Sequence, residues 1–316
     1  QPEFDAHTRA RARQPDFANE HIPSLIAHYP EHNSQVSDLG YAMLFEIAGG
    51  SLDRFSPADN KEDSNFLDCT GAILATLLHA WADKEPSDEV MPGDLLTDLC
   101  GYRLDELQAP ALHELVRSRC HGTIYVEGGE ILLNPLSLVA LLAEHDKTKV
   151  GVLKGLLHGD LHGGNILLHR LRARDNPFFV IDFALCREGA VGYDAAYLEL
   201  SHILGAVGDE DPARLIGALR RAEDPTVPLP KQSLWAVTLI SRMRETLQEW
   251  REKEHPYRAD QIDRQLALCR VAAGLNWANK PLEPSWRLAA LCYASWAARA
   301  YVQVHVPQLW ESLVSN

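Results

Sequence analysis

Leu157-His158-Gly159-Asp160-Leu161-His162-Gly163-Gly164-Asn165-Ile166-Leu167, followed by Phe178-Phe179-Val180-Ile181-Asp182-Phe183, decides how this chain is read. The Asp-x4-Asn step puts a carboxylate, Asp160, and an amide, Asn165, on one tight loop. The apolar strand Phe178 to Ile181 then delivers a second carboxylate, Asp182, at its end. Phosphoryl transfer needs little covalent help from a protein. It needs a group that orients or deprotonates the attacking hydroxyl, and oxygen ligands that hold magnesium on the phosphates. Asp160, Asn165 and Asp182 supply those groups in that order.

Two plainer readings compete with it. A lone His-Gly-Asp is common, and an aspartate after an apolar strand is an ordinary turn former. His158 and His162, four apart, could also be taken for zinc ligands. That spacing suits a helix, which Gly159, Gly163 and Gly164 argue against, and the sequence offers no third ligand. The linked motifs at their observed separation outweigh both readings.

The block resembles the catalytic core of the aminoglycoside phosphotransferase/choline kinase-like branch of the protein-kinase-like fold. The resemblance implies Asp160 as catalytic base, with Asn165 and Asp182 as magnesium ligands. It makes His158 a brace of the loop beside the cofactor. Gly192-Tyr193-Asp194-Ala195-Ala196-Tyr197-Leu198-Glu199 is similar to the family segment whose aspartate braces the catalytic loop, so Asp194 is expected to be structural. Loop and upstream segment together, including Asn134-Pro135-Leu136, also resemble the ternary-complex-associated kinase-like domains of bacterial conflict and signalling proteins. The implied cofactors are ATP and Mg2+.

Outward from the loop, residues 1 to about 20 are polar, Arg-rich and helix-compatible. His21 to Ala27 and Tyr41 to Ile47 read as strands around a polar turn at Pro30 to Asp38. Ala48-Gly49-Gly50-Ser51-Leu52 then closes the second strand, in the order of the family's interlobe hinge. The resemblance therefore puts a hinge near 44–52, with the backbone of Phe45, Glu46 and Ile47 on the adenine edge. Phe66 to Trp81 has helical apolar spacing, and His79 within it reads as packed. A long intervening region at about 82–154 carries a hairpin turned by Glu127-Gly128-Gly129-Glu130 and is where substrate or partner specificity is expected. Ala195 to Ala206, Ser233 to Glu254, Arg258 to Ala273 and Pro284 to Val304 are helical in pattern, separated by Pro-rich connectors at Asp224 to Pro230 and Lys280 to Pro284. Trp235, Trp277, Trp286, Trp296, Tyr293 and Tyr301 could line an acceptor pocket, or be core as aromatic stripes usually are.

Composition narrows the partners. A net charge of −14 argues against nucleic acid, whose binding surfaces need clustered Lys and Arg. It weakly favours a cationic acceptor. The apolar run Leu288 to Val304 is broken by Arg299, so no membrane span is expected. Six cysteines without Cys-x-x-Cys pairing read as buried thiols, and the expected location is cytoplasmic.

The expected architecture is α/β (α+β), a two-lobe protein-kinase-like fold: residues 1–47 a partial N-lobe, and 48–316 a large helical C-lobe containing the catalytic loop 157–167. No Gly-x-Gly-x-x-Gly precedes the hinge, and the first lysine, Lys61, lies beyond it. Glu3 could be the helix glutamate that partners the missing lysine. The truncated N-lobe has three explanations: a fragment of a longer protein, which we favour, a degenerate pseudokinase, or completion in trans. The expected activity is ATP- and Mg2+-dependent phosphorylation of a small-molecule hydroxyl. The alternative is a catalytically silent nucleotide-sensing or scaffold domain with a protein partner.

Overall fold

The computed structural model describes residues 2–29, 42–50, 54–58, 65–169, 178–207, 212–228 and 234–315. The polar turn at 30–38 and the acidic stretch Asp209-Glu210-Asp211 lie outside the described residues. Helices α1 (Pro2–Arg13) and α2 (Pro15–His21) open the chain and are followed by an antiparallel pair, β1 (Leu25–Tyr29) and β2 (Ala42–Phe45). The first strand starts at Leu25, four residues later than its sequence suggests. Pro15 sits in the first turn of α2, where its fixed φ starts a helix, and that helix runs on to His21. A 3-10 turn at Ala48–Gly50 leads to β3 (Phe55–Pro57) and the long α3 (Asn65–Trp81). On α3, His79 is exposed, which corrects the expectation that it packs inward.

The segment from 82 to 154 holds β4 (Asp88–Val90), α4 (Pro92–Cys100), α5 (Pro110–Arg119), and a three-stranded meander of β5 (Cys120–His121), β6 (Ile124–Glu127) and β7 (Glu130–Leu133). Glu127 pairs with Glu130 across the turn, and Gly128 and Gly129 both have positive φ, as a two-residue hairpin requires. Next come α6 (Leu138–His145), β8 (Val150–Val152) and β9 (Lys154–Leu157). The loop 158–165 connects β9 to β10 (Ile166–His169), which pairs antiparallel with both β3 and β11 (Phe178–Val180). Strand β12 (Arg187–Ala190) returns along β9.

Helices α7 (Tyr193–Val207), α8 (Pro212–Glu223), α9 (Leu234–Glu254), α10 (Ala259–Asn279), α11 (Pro284–His305) and α12 (Pro307–Val314) complete the chain. Helix α10 is the central pillar. Leu268, Cys269, Val271, Ala273 and Leu275 are wholly buried, and Arg264, Gln265 and Asn276 are buried with them, so it is enclosed nearly all round rather than along one stripe. Gly274 lets α11 approach closely, since a Cβ there would meet the Ala294 Cβ at 2.7 Å. Gln265 of α10 pins the active region. Its amide donates to Leu153 O at 2.9 Å and Val191 O at 2.7 Å, while its carbonyl accepts from Leu153 N. Arg264 pairs with Asp146 at 2.9 Å and ties α6 to the same pillar. All six cysteines are buried free thiols. Among the described residues no helix is long and apolar enough to cross a membrane.

Candidate active site

The loop after β9 is shaped by three anchors. Gly159 takes φ +84°, a conformation that costs other residues energy, and its missing Cβ leaves room for the Leu185 carbonyl. The Asp194 carboxylate at the start of α7 accepts from His158 N at 2.6 Å and Gly159 N at 3.0 Å. Burial raises the Asp194 pKa, while the His158 side chain and those two amide donors oppose the shift. His158 is wholly buried and donates from Nε2 to Ile181 O at 2.8 Å, so it braces the loop against the end of β11. His158 and His162 thus diverge. Among the described residues no three His, Cys, Asp or Glu side chains gather to hold a metal.

Asn165 fixes the other end of the loop. Its Nδ2 donates to the Asp160 backbone carbonyl at 3.0 Å, and its own backbone carbonyl accepts from Ile181 N at 3.0 Å. With the amide nitrogen committed inward, Oδ1 is the atom left for a ligand. Asp182 follows at φ +63°, the one non-glycine residue with positive φ among those described, and its side chain is exposed. Aspartate is one of the few residues that enters this region, and its Oδ1 accepts from Ala184 N at 3.5 Å in a local turn.

Asp160 is gripped more heavily than its sequence suggests. Tyr197 of α7 donates its hydroxyl to Oδ1 at 2.5 Å, and the Lys280 ammonium reaches the same oxygen at 3.0 Å. Oδ2 faces His162 Nε2 at 3.8 Å. Burial would raise the Asp160 pKa, but the Tyr197 and Lys280 hydrogen bonds and charge outweigh it and hold the carboxyl below its ordinary range. Asp160 is therefore ionised at neutral pH. Lys280 itself lies 4.4 Å from the Trp277 ring centre and 5.1 Å from that of Tyr197.

Beside the loop lies a cavity of about 390 Å³ lined by Phe45, Glu46, Ile47, Leu167, Ile181 and Asp182, with Glu3 and His7 of α1 closing one side. Of the residues that the sequence marks, Phe45, Glu46, Ile47 and Asp182 are on its wall; His158, Asp160 and Asn165 stand on the adjoining loop. Glu46 N donates to Ser24 O and Ile47 O accepts from Gly50 N. Among the described residues the Glu46 carbonyl and the Ile47 N–H take no backbone partner, so both can serve a planar ligand edge. Glu3 has no lysine partner among the described residues. Burial, then the negative charge of Asp182, raises its pKa. Two carboxylates meeting at a cavity wall favour a cation between them, and the all-oxygen donors Asn165 Oδ1 and Asp182 suit a hard one such as magnesium. The residues present fit both a purine nucleotide and its metal.

His7, Tyr197 and Lys280 are the residues that sequence reasoning did not assign. His7 bonds Pro23 O at 3.0 Å and packs edge-on to Phe45 and Phe183, docking α1 on the cavity; burial lowers its pKa against the pull of that carbonyl. Tyr197 lies inside the motif around Asp194 and could have been suspected there. Lys280 begins a connector 120 residues from Asp160, and no local pattern marks it. The aromatic set divides: Tyr293, Trp296 and Tyr301 are core, bonded to Glu199, Glu223 and Asp146, while Trp277 reaches the site.

A sequence model of the phosphotransferase enzyme family matches residues 3–230. No curated protein matches the chain by sequence. Among solved structures, glucosamine kinase in complex with glucosamine, ADP and inorganic phosphate aligns over 98% of this chain and 74% of its own, at 17% identity and a TM-score of 0.49. A second crystal form of glucosamine kinase aligns over 91% and 67%, at 17% identity and a TM-score of 0.50. An ethanolamine kinase from Plasmodium vivax aligns over 92% and 72%, at 12% identity and a TM-score of 0.41.

Proposed function

The chain belongs to the phosphotransferase enzyme family, with a protein-kinase-like fold, and on that premise we propose that it moves the terminal phosphoryl group of ATP to a hydroxyl of a small molecule. The observation that carries this is the shared frame of Asp160, Asn165 and Asp182. Asn165 bonds the Asp160 carbonyl, and its own carbonyl accepts from Ile181 N, next to Asp182. A base-position carboxylate and two oxygen ligands therefore move as one body beside a nucleotide-sized cavity.

The purine would lie against Phe45 to Ile47. Magnesium, when held by Asn165 Oδ1 and Asp182, would neutralise charge on the phosphates. Asp160 Oδ1 is committed to Tyr197 and Lys280, so Oδ2 is the oxygen that receives the acceptor hydroxyl. A carboxylate held below its ordinary pKa is a weak proton acceptor. Asp160 therefore acts chiefly by orienting the hydroxyl, taking its proton as the new O–P bond forms and the bond to the departing diphosphate breaks. Positioning and charge neutralisation supply most of the rate.

One observation favours a second reading, a nucleotide-binding domain without turnover: the Lys280 ammonium already occupies Asp160. Asp160→Asn separates the two. In an enzyme, calorimetric affinity for magnesium-ADP stays within about twofold while phosphoryl transfer falls by roughly 10²–10⁴-fold. A wild-type chain that binds the nucleotide and transfers nothing to any hydroxyl leaves the second reading standing.

A further inference from the structure

We propose that the acceptor carries an acidic group, a carboxylate or a phosphate, beside the hydroxyl it offers to Asp160, and that Lys280 and Arg103 bind that group. The proposal rests on the phosphotransferase reading of the same site and names its substrate class.

The argument starts from how cations are partnered. Many of this chain's basic residues sit on carboxylates: Lys154 on Asp88 at 2.6 Å, Arg258 on Glu85 at 2.7 Å, Arg299 on Glu130 at 2.7 Å and Arg264 on Asp146 at 2.9 Å. With 44 acidic residues against 30 basic ones, such pairing is easy to satisfy. Arg103 departs from it, as do Arg11 and Arg287, which bond backbone carbonyls. The Arg103 Nε and Nη2 donate to Asn276 Oδ1 at 3.1 and 2.5 Å, its Nη1 donates to Cys100 O at 3.2 Å, and among the described residues no carboxylate pairs with it. Its charge is held in place by neutral acceptors and stays uncompensated, as in a site made for an incoming anion.

One run of contacts at the end of α10 links Arg103 and Lys280. Asn276, which holds Arg103, and Lys280 are four residues apart at the end of α10. Asn276 Nδ2 donates to the Tyr193 hydroxyl at 2.8 Å, and the Tyr193 and Tyr197 rings are 5.9 Å apart. Tyr197 in turn bonds Asp160. A helix C-terminus favours a nearby cation and would account for one of the two. It does not account for a guanidinium brought in from the 101–104 turn. Lys280 has three N–H donors, of which Asp160 Oδ1 takes one.

The same geometry excludes an amine. The aromatic corner of Trp277 and Tyr197, facing a carboxylate, is where a substrate ammonium would bind. The chain's own ammonium is already there, 4.4 Å from the Trp277 ring centre. A cationic acceptor would have to expel Lys280 and then face Arg103. The overall acidity of the chain, which by itself points to a cationic acceptor, is reversed locally.

The test is calorimetric binding of four ligands that share a ring and hydroxyls but differ in charge: glucuronate, glucose 6-phosphate, glucose and glucosamine. Each is titrated into the chain in the presence of magnesium-ADP, with phosphoryl transfer from ATP measured separately. Glucuronate or glucose 6-phosphate should bind at least about 10-fold tighter than glucose. Lys280→Met and Arg103→Met should each erase that preference, and Lys280→Arg should restore most of it. Tightest binding of glucosamine to the unsubstituted chain, or a flat panel in which charge makes no difference or nothing binds, overturns the proposal. Acid-selective binding with no transfer to any acceptor would remove the phosphotransferase reading and leave Lys280 and Arg103 as an anion site only. Transfer to glucosamine alone would do the reverse.

Discussion

Gly159 and Gly129 have nearly the same φ and quite different surroundings, so a matched pair of alanine substitutions isolates the packing of the loop after β9. Both sit at positive φ, +84° and +78°. Placing a Cβ in that region costs about 1–2 kcal/mol at either position. Around Gly129, in the hairpin turn, nothing lies within 4 Å of the added carbon. At Gly159 the carbon would stand 2.4 Å from the Leu185 carbonyl oxygen and 3.2 Å from the Leu185 Cβ. A carbon–oxygen contact relaxes only near ~3.3 Å, so the turn from Asp182 to Cys186 must retreat by roughly 0.9 Å. Overpacking of that kind adds about 1–3 kcal/mol. Over 316 residues the unfolding entropy is about 0.7 kcal/mol/K. Gly129→Ala should then lower Tm by roughly 1.5–3 °C and Gly159→Ala by roughly 3–7 °C. Because Asp182 lies on the displaced turn, Gly159→Ala should also weaken magnesium-ADP binding by roughly tenfold or more, whereas Gly129→Ala leaves it unchanged. Differential scanning calorimetry and ligand titration read both effects. Equal losses of Tm in the two variants, or unchanged ADP affinity in Gly159→Ala, would refute the idea that this contact joins the loop to the metal-side turn.

Two further predictions use other anchors of the same site. Asp194→Asn keeps one acceptor oxygen and turns an NH2 group toward a backbone N–H, costing about 1–3 kcal/mol and roughly 1.5–5 °C of Tm, with activity lost in parallel; a variant that melts like wild type yet is inactive would make Asp194 a chemical group instead of a brace. His202, buried in α7, is held neutral, its pKa pushed down to about 3 by burial and then by His162. Its depressed folded pKa means that stability is full above the unfolded value of about 6.5 and falls as pH drops from there toward 3. This group alone should cost about 2 kcal/mol at pH 5, and urea titrations of His202→Gln should show a flatter slope over that window.

The parts of the site that could be read from sequence are those whose chemistry is local. Asp160, Asn165 and Asp182 keep a fixed order because one loop and one strand carry them, and the two glycines between Glu127 and Glu130 specify their own turn. Asp194 was legible through its neighbours. Helices α8 and α12 have no counterpart among the expected helices; each opens on a proline, Pro212 or Pro307, which at a first helical position is a starter and leaves no apolar period of its own. Pro15 likewise opens α2, which runs through His21, where a strand was expected. Lys280, Tyr197 and Arg103 matter because of where α7, α10 and the 101–104 turn come to rest, and side-chain contacts over that separation leave no spacing to read.

The Lys280 contact also has a consequence for synthesis. When a ribosome has released the stretch from His158 to Asp182, the loop still lacks the Asp194 carboxylate that holds His158 N and Gly159 N, and Asp160 lacks both the Tyr197 hydroxyl and the ammonium that complete its cage. The ammonium emerges some hundred residues later, at the end of α10. The nascent chain therefore passes through a stage in which every residue lining the cavity, the last of them Phe183, is present while Lys280 is not. On the proposed function the acceptor side is completed late, with the burial of α10, and termination anywhere before Lys280 should yield products without the Asp160–Lys280 contact.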